Sequence, residues 1–101
     1  MNSLRAFYDS TISNFIKTDN DKILGKISSN DSSADTRIQQ KNTWKSEIEI
    51  LKRELYGLND YNARILFEYV IPRMGKRIDN VILFKNIIFV LEFKCGSDRY
   101  N

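Results

Sequence analysis

The 101-residue chain contains no histidine and a single cysteine, Cys95. These two absences exclude His-based catalytic triads, His/Cys zinc sites and any internal disulfide. Cys95 also lacks an imidazole to activate it and reads as inert. Glycine is scarce, and none of Gly25, Gly57, Gly75 and Gly96 belongs to a phosphate-cradling loop of the Walker type, so the polypeptide carries no ATPase motor. No apolar run approaches the roughly 18 to 20 residues of a membrane span, and the opening MNSLRAFYDS lacks the apolar stretch of a secretion signal. A cytoplasmic chain without membrane contact is expected. Neither sign of charge dominates: 16 Lys and Arg against 13 Asp and Glu give +3 and a pI near 9.1, compatible with a polyanionic partner without specifying one. The chemistry left available is that of carboxylates, lysines and hydroxyls.

Apolar residues at 42% and charged residues at 29% are the proportions of an ordinary globular protein, and the length allows one domain with a limited core. Residues 1–27 read as short N-terminal helices. Ser10 can cap a turn bearing Ile12, Phe15 and Ile16, and the stretch from Asp19 to Asp21 can cap another bearing Ile23, Leu24 and Ile27. Residues 28–35 are small and polar and predict an exposed linker, with Asp35 or Thr36 capping the next helix. From 36 to 56, Trp44, Ile48, Leu51 and Leu55 fall on one helical stripe, and Gly57 is expected at the C′ position. Lys45/Glu49 and Glu49/Arg53 lie on the solvated face, whereas Glu47 sits at the edge of the apolar stripe. The period then becomes strand-like over about 64–71, 77–84 and 87–94, which predicts three consecutive antiparallel strands with Phe67, Tyr69 and Phe89 in the core.

If Lys85-Asn86 is a two-residue hairpin loop, Phe84 faces Ile87 and the register follows: Leu83 opposes Ile88, Val81 opposes Val90, Asp79 opposes Glu92, and Arg77 opposes Lys94. Side chains alternate with period two, so two carboxylates and a lysine are expected on one face. Directly opposed carboxylates repel without a cation between them, and hard oxygen ligands favour Mg²⁺ or Mn²⁺. Lys94 would orient an attacking water and offset charge on a phosphorane.

Asp79, followed after twelve residues by Glu92-Phe93-Lys94, resembles the D-(x)n-E-x-K signature of the PD-(D/E)xK phosphodiesterase superfamily. The wider strings from Tyr69 to Asp79 and from Ile88 to Lys94, with Arg5-Ala-Phe-Tyr8 and Gln40-Lys-Asn-Thr-Trp44, resemble the N-terminal region of a bacterial and prophage family. Its members are large Schlafen-related, helicase-like ATPases, domain-of-unknown-function family 2075. The resemblance implies an α/β (α+β) partial restriction-endonuclease-like core over 36–101, with a three-stranded antiparallel sheet. It implies catalytic Asp79, Glu92 and Lys94, and a metal on Asp79, Glu92 and the Phe93 backbone carbonyl, with Glu47 on the first helix as a further ligand; apart from the resemblance, Glu68 is a candidate ligand if the length of the loop from Pro72 to Lys76 puts it on the face of Asp79. Mg²⁺-dependent hydrolysis of DNA or RNA is the implied activity. The implied core continues past Asn101 into a second helix and a strand, and the family's ATPase/helicase region follows, so the chain reads as truncated and its activity is in doubt.

Each of these readings has a plainer counterpart. Asp79, Glu92 and Lys94 could be solvated strand charges at a sheet edge, and Glu47 and Glu68 ordinary flank charges. Arg73, Lys76 and Arg77 could contact nucleic-acid phosphates or form a charged turn. The rival to the nuclease is a non-catalytic nucleic-acid-binding or assembly module, in which an open strand edge pairs with another chain, including a homodimer.

Overall fold

The structure, a computed structural model, describes residues 5–31, 38–58 and 62–93. The elements run β1 (Ala6–Thr11), α1 (Ile12–Lys17), α2 (Asn20–Ser29), α3 (Ile38–Leu55), a 3-10 turn (Tyr56–Leu58), β2 (Ala63–Ile71), β3 (Lys76–Phe84) and β4 (Ile87–Leu91). The four strands form one antiparallel sheet in the order β1-β2-β3-β4, with β4 at an edge. The fold is therefore α+β, and its sheet has four strands where three were expected.

The additional strand comes from the segment read as helical. Ala6–Thr11 is strand because it pairs with β2, Ala6 with Tyr69 and Thr11 with Arg64. Partners this distant in the chain leave no local period in a six-residue segment. Helices α1 and α2 follow as expected, although the α1 cap is Thr11 rather than Ser10: its Oγ1 accepts from the Asn14 backbone N–H at 3.1 Å. Ser28 and Ser29, assigned to the linker, close α2 instead. Asn30 at the C-cap ties this end to β1, its Nδ2 donating to the Phe7 carbonyl at 2.8 Å. The capping of α3 by Asp35 or Thr36 lies outside the described residues. Gly57 is not a left-handed C′ residue but part of the 3-10 turn, and Arg53 contacts Glu54 rather than Glu49.

All helices cover one face of the sheet. Trp44, Ile48 and Leu51 of α3, Ile23 and Ile27 of α2, and Ile12 and Phe15 of α1 are buried against Ala63, Ile65, Phe67 and Ile82. Phe15, Phe67 and Tyr8 form a mutually tilted aromatic group with centroids 5.7 to 6.2 Å apart, the separations at which ring quadrupoles attract. No helix among the described residues covers the opposite face, which presents a shallow apolar groove lined by Leu66, Tyr69, Ile78, Val81, Leu83, Ile88 and Val90. Tyr69 thus lies on the far face, and Phe89, expected in the core, is exposed on β4.

Period-two alternation breaks at one place. Leu66 and Tyr69 belong to the far-face cluster and Phe67 and Val70 to the helix-face cluster, so Phe67 and Glu68 both turn towards the helices. The cause is Glu68, whose φ of 54° puts a non-glycine residue in the left-handed region inside a strand. On β1, Phe7 and Tyr8 likewise both join the helix-face cluster. Two strands therefore share a crease, at which the helix-facing surface gains one side chain per strand.

The β3–β4 hairpin has the predicted register, with Phe84 paired to Ile87, Leu83 to Ile88 and Val81 to Val90. Its loop residue Lys85 has φ 57°, which costs an L-residue about 1 kcal/mol that glycine does not incur. Lys85→Gly is expected to raise stability by about 1 kcal/mol, read as a higher urea midpoint at unchanged m-value.

Candidate functional site

The crease brings carboxylates from three elements under the helices. Glu47 comes from α3, in register with Trp44, Ile48 and Leu51 on the buried stripe, and is 2% exposed. Glu68 comes from the middle of β2 and is 5% exposed, turned inward by its left-handed backbone. Asp79 comes from β3 and is half-buried. Acidic residues are rarely this buried without partners, so each set of contacts is informative.

Glu68 is well provided for. Its Oε2 accepts from Trp44 Nε1 at 3.3 Å, and its Oε1 accepts from Arg77 Nε at 2.8 Å. Arg77 is itself fixed, its guanidinium carbon 4.8 Å from the centre of the Phe7 ring. Asp79 accepts the Phe93 backbone N–H on Oδ2 at 2.8 Å, which ties the end of β4 to β3. Glu47 is the exception: its Oε1 is buried without a hydrogen-bond partner among the described residues. Asn80, beside Asp79, is fully buried with both amide atoms unpartnered in the same sense.

Electrostatics follow from this geometry. The Glu47 carboxyl is pushed up to about 8, chiefly by burial, then by the negative charges of Asp79 and Glu68. Glu68 is also raised by burial, opposed by its bonds to Trp44 and Arg77 and reinforced by Asp79. Both effects are those of a low-dielectric site that concentrates negative charge and holds Glu47 protonated at neutral pH. A cation at this point would relieve that repulsion.

Of the residues expected at a metal site, the structure brings Asp79, Glu47 and Glu68 within one another's fields and leaves Glu92 out. Strand β4 ends at Leu91, and Glu92 is exposed, with no hydrogen bond or ion pair among the described residues. Phe93 meets Asp79 through its N–H rather than its carbonyl. Lys94 lies outside the described residues. Among those described, no set of three carboxylate or thiol groups is gathered closely enough to form a ready-made metal cage. Arg77 joins the site through Glu68, while Arg73 and Lys76 are exposed at the neighbouring β2–β3 turn. Sequence reasoning missed the roles of Trp44 and Asn80. The second left a visible sign, two consecutive polar residues, Asp79-Asn80, interrupting the apolar run from Ile78 to Phe84.

A raised carboxyl binds its proton more tightly in the folded than in the unfolded chain, so Glu47 stabilises the fold fully below about pH 4.5 and loses that contribution as pH rises to about 8. Glu68 acts in the same direction. Glu47→Gln keeps the shape and removes the titration. Its stability relative to wild type is expected to rise by up to about 1.4 kcal/mol per pH unit between pH 5 and 8, measured by urea unfolding.

The chain matches none of the protein-family models, curated proteins or solved structures with which it was compared, so its function has to be argued from the geometry of this cluster.

Proposed function

We propose that the chain is a cytoplasmic, metal-dependent phosphodiesterase domain of the PD-(D/E)xK type, acting on DNA or RNA with Mg²⁺ or Mn²⁺ between Glu47 and Asp79. The observation that carries this reading is the Glu47 carboxylate: 2% exposed, with Oε1 unpartnered among the described residues, in the field of Asp79. Held protonated at neutral pH, Glu47 would give up that proton to a cation that completes the pair with Asp79. The donor set fits a hard cation, since Mg²⁺ is commonly held by one or two carboxylates together with waters and substrate phosphate oxygens. Glu68 fits it less well, because both its oxygens are taken by Trp44 and Arg77.

Held by Glu47 and Asp79, a divalent ion would lower the pKa of a bound water and polarise the phosphodiester. The chain's own residues do the rest. Glu47 and Asp79 would hold the ion from opposite layers, helix and sheet, so the site would be set by packing rather than by a loop. The Phe93 N–H fixes one Asp79 oxygen and so orients the other. In the net reaction water bonds to phosphorus and releases one proton, the bond to the leaving oxygen breaks, and that oxygen takes up one proton. Glu92 and Lys94 are retained as catalytic candidates on the sequence signature, Lys94 as the group that orients the water. The core from α3 through β4, a helix followed by three antiparallel strands, is the order that the superfamily resemblance implies.

A second reading rests on a different observation. Strand β4, at the edge of the sheet among the described residues, exposes Ile87, Ile88, Phe89 and Val90 at 46% to 66%, and a strand so apolar at an edge invites pairing with another chain. In this reading the protein is an assembly module, homodimer included, with or without catalysis, and an ATPase/helicase region is a candidate neighbour.

Two experiments separate the readings. Plasmid and single-stranded RNA incubated with Mn²⁺ are expected to be cleaved by wild type, with Asp79→Asn and Glu47→Gln at background; equal cleavage by all three would remove the site from the reaction. Light scattering over a dilution series is expected to give concentration-dependent mass that Phe89→Lys abolishes, and a monomer at every concentration would rule out pairing through β4.

A further inference from the structure

Arg77 and Glu68 form a unit that metal binding does not use. Glu68 spends backbone strain, at φ 54°, to reach the helix face, and there its carboxylate grips Arg77 Nε at 2.8 Å and Trp44 Nε1 at 3.3 Å. Arg77 lies with its guanidinium 4.8 Å from the Phe7 ring centre, yet its side chain is 41% exposed. An arginine gripped at Nε and stacked on one face has lost most of its freedom, and among the described residues the N–H groups of both Nη atoms have no partner and remain to donate. Strained backbone that persists inside a strand is a mark of functional placement.

The surroundings indicate what those donors meet. Arg77 and Asp79 are two positions apart on β3 and both act on the helix-facing side, with Ile78 between them on the far face. The separation is about 7 Å along the strand, a distance one nucleotide of an extended chain spans. Arg73 and Lys76 continue the positive charge to the turn at the end of the hairpin, and both are exposed. Planar, bidentate donors of this kind suit the paired oxygens of a phosphate.

We propose that Arg77 is a preset receptor for one backbone phosphate of a single-stranded nucleic acid, adjacent to the phosphate at Asp79, and that Glu68 is the positioning residue that holds it rather than a metal ligand. The inference builds on the phosphodiesterase reading but concerns binding alone, so it is tested without hydrolysis. Arg77→Lys keeps the charge and loses the fork. Glu68→Gln keeps one acceptor oxygen but loses the charge and turns an amide NH2 towards the second of the two donors, Trp44 Nε1 or Arg77 Nε, so it holds Arg77 less firmly, whereas Glu68→Ala releases it.

The test is fluorescence anisotropy of labelled oligo-dT and oligo-U in EDTA, over a salt series, with melting curves for every variant. Wild type is expected to bind, and Arg77→Met to weaken binding about tenfold and to lower the slope of log K against log salt by about 0.7, the value of one phosphate on a single strand. Arg77→Lys should recover the slope but not the full affinity, Glu68→Ala should resemble Arg77→Lys, and Glu68→Gln should fall between Glu68→Ala and wild type. No binding by wild type, or an unchanged salt slope in Arg77→Met, would overturn the proposal. Variants that melt like wild type exclude unfolding as the cause. Loss of cleavage in Asp79→Asn with binding intact leaves the proposal standing, and binding by a protein that never cleaves would refute the phosphodiesterase reading alone.

Discussion

The indole of Trp44 donates to a carboxylate that a regular β-strand would have directed to the other side of the sheet. This one contact between α3 and β2 requires Glu68 to take a left-handed backbone, at a cost of roughly 1 to 3 kcal/mol. It in turn fixes where Arg77 lies and places Glu68's charge where it raises Glu47. Helix and sheet are thus joined by a polar strut inside an apolar layer. Buried polar groups of this kind are stabilising only when fully satisfied, and here the strut is satisfied while its neighbours Glu47 and Asn80 have unpartnered atoms among the described residues.

That imbalance distinguishes a site from a packing device. The core needs nothing from Glu47, since Trp44, Ile48 and Leu51 already fill the stripe at the helix–sheet contact. An apolar residue in its place would avoid the desolvation that pushes its carboxyl to about 8. Keeping an acid there, facing Asp79, makes sense if a positive species completes the pair. The same reasoning separates the three carboxylates by role: Glu68 has its cation in Arg77, Asp79 accepts the Phe93 N–H, and Glu47 keeps a buried oxygen that no group among the described residues partners.

Much of the fold could be read in the sequence because its signals are local. Helix α3 followed from a stripe of four apolar positions, and strands β2 to β4 from β-branched and aromatic runs between turn residues. The β3–β4 register came from a two-residue loop alone. Strand β1 could not be read, because six residues are strand only by virtue of partners 53 to 63 positions away. The site was half legible. Asp79 and Glu47 stood out as acids in apolar settings, but the pairing of Asp79 with Glu92 assumed regular strand through both, and β4 stops at Leu91. The crease depends on a single φ angle at a residue type that does not favour it, and composition carries no trace of that.

The central claim is that Glu47 and Asp79 together hold a divalent cation, and thermal unfolding with and without Mn²⁺ tests it most directly, because an ion that binds only the folded chain raises Tm by mass action. Wild type is expected to melt several degrees higher at millimolar Mn²⁺ than in EDTA, and Glu47→Gln and Asp79→Asn to lose that difference while remaining folded. An equal shift in all three proteins, or none in wild type, would contradict it.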